Sequence, residues 1–228
     1  MNYPETKYFD TGINVAVTAT ATTWADTEVA CDNYINTSGA AAAYTDSCLL
    51  PTAVGSGYGQ VNGNRYKLKK VRVRGTGFTN IQPDQADALN AAQVRMLLVM
   101  DTQPNGAQAQ GEDVIQDIGD SLENIHAYIK TSSTSGRFQV LKDKRFLLQP
   151  AIMGTDGANT NSITFNSFKF DFTYKPKMPR IVNIKAGNST PTVAGTVDCN
   201  IFLLCFGLVQ NIGGTISISA ASRAYYCD

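Results

Sequence analysis

The feature that most constrains this chain is a set of β-patterned segments that carry charge on one face. Residues 65–75, RYKLKKVRVRG, place Val71 and Val73 on one side of a strand and Arg72 and Arg74 on the other, because strand side chains alternate with a period of two. Six cations and no acid lie between residues 65 and 74. The pattern predicts a strand that is buried on one face and densely positive on the other.

Seven further segments have strand character and are separated by polar, turn-forming connections. With Arg65–Phe78, the predicted strands are Tyr8–Thr23, Gln93–Gln103, Gly136–Gln149, Ile163–Lys175, Ile181–Lys185, Thr196–Leu208 and Thr215–Tyr226. In one of them, Phe168, Phe170 and Phe172 share a face opposite Lys169 and Asp171. We expect these rings in the core, together with Leu97, Val99, Leu203, Phe206 and the small hydrophobes Cys199 and Cys205.

The connections are too long for a chain of tight hairpins. Residues 24–64, 104–135 and 150–162 are long polar stretches, and short helices or helical turns are predicted at Asp84–Ala92, Glu112–Gly119 and Ser121–Ile129. There is no internal repeat and no linker that would separate domains. We therefore predict an all-β chain, residues 1–228, folded as a single eight-stranded jelly-roll β-sandwich with long loops and short loop helices.

The surface composition favours packing against other protein. Only 17% of the residues are charged, against about 25% in ordinary globular domains, and a low-charge surface associates readily. The 19 basic and 19 acidic residues cancel, which argues against a free-standing nucleic-acid binder. The charge is nevertheless unevenly distributed, since residues 112–123 hold five acids and no cation.

The sequence offers little catalytic or metal-binding chemistry. His126 is the single histidine, so neither a histidine-rich metal site nor a serine–histidine–acid triad can be assembled with ease. The five cysteines, at 31, 48, 199, 205 and 227, have no paired metal-ligand spacing. We expect no enzyme activity, no catalytic residue, no metal site and no cofactor. We also expect no membrane span, intracellular synthesis and reduced thiols, because neither a long apolar run nor a secretory signal is present.

Two charged clusters are candidate interaction sites. The basic patch consists of Lys67, Lys69, Lys70, Arg72 and Arg74, which could bind phosphate, contact a neighbouring subunit or form a solvated edge strand. The charged run consists of Lys142, Asp143, Lys144 and Arg145 and interrupts an apolar alternation. We predict that this run lies at a subunit contact; a solvated loop or edge is the alternative.

Taken together, these segments resemble the capsid proteins of circovirus-like, Rep-encoding viruses with circular single-stranded DNA genomes. The resemblance covers most of the chain and lies in ETKYFDT at 5–11, RYKLKKVRVRG at 65–75, VRMLLVMDTQPNGA at 94–107, GRFQVLKDKRF at 136–146 and SRAYYCD at 222–228. It implies one jelly roll per subunit, a small icosahedral homo-oligomer of about 60 copies, a single-stranded DNA genome inside the shell, and a location in the virion, with assembly in the host nucleus or cytoplasm.

One departure from that family concerns its basic N-terminal arm. Lys7 is the single cation before Arg65, so we expect the arm to be absent here and DNA binding by this chain to be weak. Two other functions fit the same fold. One is a lectin-like β-sandwich binding module, and the other is the capsid of a small RNA or satellite virus.

Overall fold

The computed structural model describes residues 5–18, 48–49, 53–57, 59–80, 92–104, 111–116, 128–129, 136–148, 167–185, 195–209 and 215–228. These residues form ten strands and one helical turn. In chain order they are β1 (Lys7–Thr18), β2 (Ala53–Val54), β3 (Gln60–Val61), β4 (Arg65–Asn80), β5 (Ala92–Asp101), α1 (Gly111–Val114), β6 (Phe138–Leu148), β7 (Ser167–Tyr174), β8 (Arg180–Asn183), β9 (Asn200–Val209) and β10 (Thr215–Cys227).

Two antiparallel sheets make up the body of the protein. The larger has the strand order β1-β10-β4-β7, and β8 pairs with the beginning of β4 on the same side as β7. The smaller has the order β6-β5-β9. A short parallel pair, β2 with β3, forms a third, two-stranded sheet, and Val61 of β3 is buried in the main core. The structure is therefore all-β, as the alternating sequence predicts.

The main core fills the space between the two sheets. Phe168, Phe170 and Phe172 of β7 are buried while Lys169 and Asp171 are exposed, which confirms the predicted alternation. The ring of Phe168 stacks on that of Phe146 from β6, with centroids 4.4 Å apart. Inward residues of β4, β5, β9 and β10 complete the cluster. Face-to-face packing of two such sheets defines a β-sandwich.

The smaller sheet is also covered on its other face. Leu97 and Val99 of β5 and Phe202 of β9 pack there against Val114 and Ile115. Because β5 is covered on both sides, its sequence is apolar without alternation, as in strands buried on two faces. Leu97, Val99 and Leu203 are all buried, as predicted, whereas the side chain of Phe206 lies outside the described residues.

Each predicted strand has a counterpart among the described strands, but over the described part of the chain the bounds differ by up to four residues, since β9 begins at Asn200 and not at Thr196. The loop helices are not confirmed. Within Glu112–Gly119, helix ends at Val114, because Ile115 enters an antiparallel bridge with Ile129. That bridge also makes the predicted helix Ser121–Ile129 wrong at its last residue. Tyr128 is not helical either, and Ala92, the last residue of the predicted turn, begins β5. Residues 121–127 and 84–91, most of loops 24–64 and 104–135, and all of loop 150–162 lie outside the described residues.

Four cysteines lie in the described part of the chain. Cys48, Cys199, Cys205 and Cys227 are buried free thiols, so Cys199 and Cys205 are core residues as predicted. Burial raises the pKa of both to about 12. They remain protonated at neutral pH and pack as small apolar groups.

Candidate nucleic-acid interface

The basic patch lies on β4 and is arranged by a β-bulge. Lys70 pairs with Tyr225 and Leu68 pairs with Tyr226, so Lys69 is an extra residue between them. The bulge shifts the alternation by one. As a result Tyr66 and Leu68 before it, and Val71 and Val73 after it, are all buried.

Three residues of the basic patch share the outer face of the larger sheet. Lys70, Arg72 and Arg74 alternate with buried valines and point away from the core. Lys69 sits in the bulge, where its ammonium donates to Thr6 Oγ1 at 2.8 Å. Lys67 is exposed beyond the bulge, opposite Ile181 of β8. The predicted opposition of Val71 and Val73 to Arg72 and Arg74 is confirmed.

Neighbouring strands add a row of charges to this outer face. Arg72 of β4 lies directly across from Arg223 of β10, a placement of like charges that by itself destabilises a sheet. Each guanidinium has its own carboxylate on the flanking strand. Arg223 donates to both oxygens of Asp10 at 2.6 and 2.7 Å, and Arg72 donates to Asp171 with its Nε at 2.9 Å from Oδ1.

These two ion pairs are exposed, so they contribute little stability. The hydrogen bonds from Arg72 hold the pKa of the Asp171 carboxyl below its usual value. The bonds to Asp10 raise the pKa of Arg223. From β1 to β7 the row has the order carboxylate, guanidinium, guanidinium, carboxylate.

The outer face has a surplus of positive charge. Its cations are Lys70, Arg72, Arg74, Lys169 and Arg223, and its acids are Asp10 and Asp171, which leaves a surplus of three. Within the described part of the chain, Arg74 and Lys169 form no ion pair. Arginine forks match the geometry of phosphate oxygens, so this face has the chemistry to bind a polyanion.

Two tyrosines lie beside the arginine row. Tyr8 of β1 and Tyr225 of β10 are cross-strand partners with ring centroids 6.4 Å apart. Arg223 lies over the Tyr8 ring at 4.2 Å, and the Lys70 ammonium is 5.2 Å from the centre of the Tyr225 ring. Aromatic rings flanked by cations are a typical platform for the bases and phosphates of single strands.

A shallow depression lies between these groups. It has a volume of about 290 Å³ and is lined by Arg72, Arg74, Arg223 and Tyr225, by the Asp10 carboxylate that Arg223 neutralises, and by small neighbours. One of these neighbours is Gly12, where an added Cβ would meet no atom within 4 Å. A phosphate or a sugar could therefore approach the backbone here.

The charged run lies on β6, which forms an edge of the smaller sheet among the described strands. Lys142, Lys144 and Arg145 are exposed. Asp143 is held within the subunit, because Arg95 donates to its two carboxylate oxygens at 3.1 and 2.7 Å. Arg95 is itself 2% exposed. Three of the four predicted contact residues are thus available to a neighbour, and Asp143 serves chiefly to neutralise a buried arginine.

The sequence alone did not assign Arg223, Asp10 or Tyr8 to a site. Arg223 stands between Ser222 and Ala224, which are both buried. The alternation of side chains along β10 therefore indicates that the Arg223 side chain points away from the core. Its position opposite Arg72 depends on the pairing of β10 with β4, which no local pattern specifies.

Among the described side chains, no three histidine, cysteine or acidic groups are gathered as metal ligands would be. None of the helical structure described is long and apolar enough to span a bilayer. His126 and the acidic residues 117–123 lie outside the described residues.

The sequence matches no protein-family model, and no curated protein is similar to it.

Proposed function

We propose that this chain is a viral capsid protein that assembles as a jelly roll into a small icosahedral shell around a single-stranded DNA genome. The observation that carries the proposal is the nested pairing of the strands. The first strand pairs with the last, β1 with β10; β4 pairs with β7; and β5 pairs with β6. Nested antiparallel pairs arise when one long ribbon is rolled into two sheets, as in a jelly roll.

One further strand would complete the eight. Among the strands that the structure describes, β9 has no nested partner, and that partner would fall between β1 and β4 in the chain. The Cys48 amide donates to the Ile201 carbonyl of β9 at 2.7 Å, which supports chain running beside β9 at this point. The Tyr66 hydroxyl donates to the Leu49 carbonyl and ties the same segment to the larger sheet.

The cationic outer face of the larger sheet supports a shell whose inner surface binds nucleic acid. Its arginines and tyrosines contact phosphate and base without reading sequence, which suits the packaging of a whole genome. The surplus of three charges is modest, in keeping with weak binding by each subunit. Many subunits that act together on one genome would multiply this weak contact.

The low overall charge supports the assembly of many copies. The exposed edge strand β6 carries lysines and an arginine that block indiscriminate sheet pairing and can fix the register of a specific neighbour. A lectin-like module is the second candidate, because jelly rolls also serve as lectins. A carbohydrate site gains nothing, however, from three adjacent guanidinium groups.

Light scattering after size exclusion tests the proposal. Sixty copies of a 24.5 kDa chain give a particle of about 1.5 MDa, whereas a lectin-like module elutes at tens of kilodaltons. Nucleic acid extracted from nuclease-treated particles should be single-stranded DNA when the genome is supplied. A stable monomer or dimer over a range of salt and pH rules out the capsid function, and packaged RNA in place of DNA would point to the RNA-virus alternative.

A further inference from the structure

One end of the larger sheet carries cations and an exposed apolar side chain on the same side. Ile181 of β8 lies directly opposite Lys67 of β4, and Asn183 lies opposite Arg65. Directly paired residues point to the same face of a sheet, and the other face is filled here by the buried Tyr66. The exposed Arg65, Lys67 and Ile181 therefore share the outward side of the sheet.

The chain that follows β8 turns back and extends this surface. Ile184 forms a bridge with Thr196, and the Val197 amide donates to the Asn183 carbonyl at 3.2 Å. Val197 therefore lies across from Asn183 and points to the same side. Lys185 comes two residues after Asn183, so it points to that side as well. Val197 is 48% exposed, and Lys185 is exposed too.

The connection from β7 to β8 completes the surface. It contains the exposed Lys175, Lys177 and Met178, and Met178 and Ile181 are 79% and 51% exposed. Single apolar residues are normal on a surface, but three beside a group of cations form a patch that typically marks a contact. We define the basic end as the surface formed by Arg65, Lys67, residues 175–181, Lys185 and Val197.

The basic end has a surplus of positive charge. The acid beside it is Asp198, whose carboxylate accepts hydrogen bonds from the Asn183 amide and side chain at 3.0 and 2.7 Å. With this acid counted against the five exposed cations, four positive charges remain. Such a surface attracts an anionic partner. The exposed cations, none of which forms an ion pair within the described part of the chain, are Arg65, Lys67, Lys175, Lys177 and Lys185.

The chemistry of the basic end differs from that of the arginine row on the same sheet. The row combines guanidinium groups with tyrosine rings, which suits phosphates and bases. The basic end combines lysines with aliphatic side chains and contains no aromatic residue. Lysine stems can lie along apolar groups while their ammonium groups reach a charged surface. Aliphatic side chains among lysines are typical of surfaces that lie on an anionic bilayer.

We propose that the basic end binds the surface of an anionic lipid bilayer. Met178, Ile181 and Val197 enter the boundary between headgroups and acyl chains, and the lysines lie at the level of the lipid phosphates. The contact is peripheral and requires no segment to cross the bilayer.

This inference goes beyond the proposed function and does not depend on it. The basic end points to the same side of the larger sheet as the arginine row. In a closed shell whose inner surface is that side, the basic end is enclosed. The membrane contact therefore belongs to the unassembled subunit.

Sedimentation with sucrose-loaded vesicles, at protein concentrations below assembly, tests the contact. The unmodified chain should bind vesicles of phosphatidylcholine and phosphatidylserine in a ratio of about 7:3, and should not bind phosphatidylcholine alone. Lys175→Gln with Lys177→Gln and Lys185→Gln should weaken binding about 100-fold, because each lysine beside an anionic surface contributes about fivefold. Met178→Ser with Ile181→Ser keeps every charge and should weaken binding about tenfold, because less apolar surface is buried. Circular dichroism checks that each variant is folded.

The matched control removes three charges from the arginine row. Lys70→Gln with Arg72→Gln and Arg74→Gln should retain most of the vesicle binding. The inference is overturned if the unmodified chain does not bind the anionic vesicles, or if the Met178 and Ile181 variant binds them fully.

Two other results would reassign the surfaces. If the control loses vesicle binding and the lysine variant keeps it, the lipid contact belongs to the arginine row. If the lysine variant loses binding to single-stranded DNA and keeps vesicle binding, the basic end is a nucleic-acid site. All of these results leave the capsid proposal intact, since that proposal fails only if the unmodified chain forms no particles.

Discussion

The salt dependence of DNA binding follows directly from the charges on the outer face. Replacing Lys70, Arg72 and Arg74 by Gln removes three charges, which takes the surplus of that face from three to zero. Each phosphate neutralised on a single strand contributes a slope of about −0.7 in log K against log salt. The unmodified subunit should therefore show a slope of about −2, and the triple variant a slope near zero.

Fluorescence anisotropy with a labelled oligothymidine measures this slope at protein concentrations below assembly. Between 50 and 200 mM salt, a slope of about −2 corresponds to affinity about 20-fold weaker for the unmodified protein. A control variant, Lys175→Gln with Lys177→Gln and Lys185→Gln, removes the same number of charges from exposed positions elsewhere and should keep the full slope. If the Lys70, Arg72 and Arg74 variant retains the slope and the control loses it, the outer face is not where DNA binds.

Three further results are expected. Phe170→Ala should lower the free energy of unfolding by about 3–5 kcal/mol, because this ring is buried between Phe168 and Phe172. Chemical denaturation measures the loss, and truncation of the exposed Phe78 is the control that should cost far less. Arg145→Glu, at an exposed position on β6, should impair particle formation while circular dichroism stays unchanged, and normal particles would make the charged run a solvated edge. Burial raises the pKa of the Cys48, Cys199 and Cys205 thiols to about 12. At pH 8 the folded protein should therefore resist alkylation at these cysteines, whereas the denatured protein should react. Peptide mass spectrometry measures the alkylation of each one.

Local alternation was enough to predict most of the strands. In β7 and in residues 71–74 of β4, polar and apolar residues alternate strictly, and period-two alternation indicates a strand that is buried on one face. The unbroken apolar stretch of β5 is explained by burial on both of its faces. The loop helices were predicted on weak periodicity, and a long-range pairing, Ile115 with Ile129, overrode it for the residues that the structure describes.

In the strands that are buried on one face, such as β7, the sequence by itself determined which residues face inward, because apolar residues recur there with a period of two. It also held a sign of the bulge, since Tyr66 and Leu68 differ in parity from Val71 and Val73. Only the tertiary structure decided that Arg223 and Asp10 join Arg72 and Asp171 in one row, and that Asp143 neutralises Arg95. These contacts link residues 48 to 213 positions apart. The pairing between distant strands that creates them depends on how the whole chain minimises exposed apolar surface, which no single segment encodes.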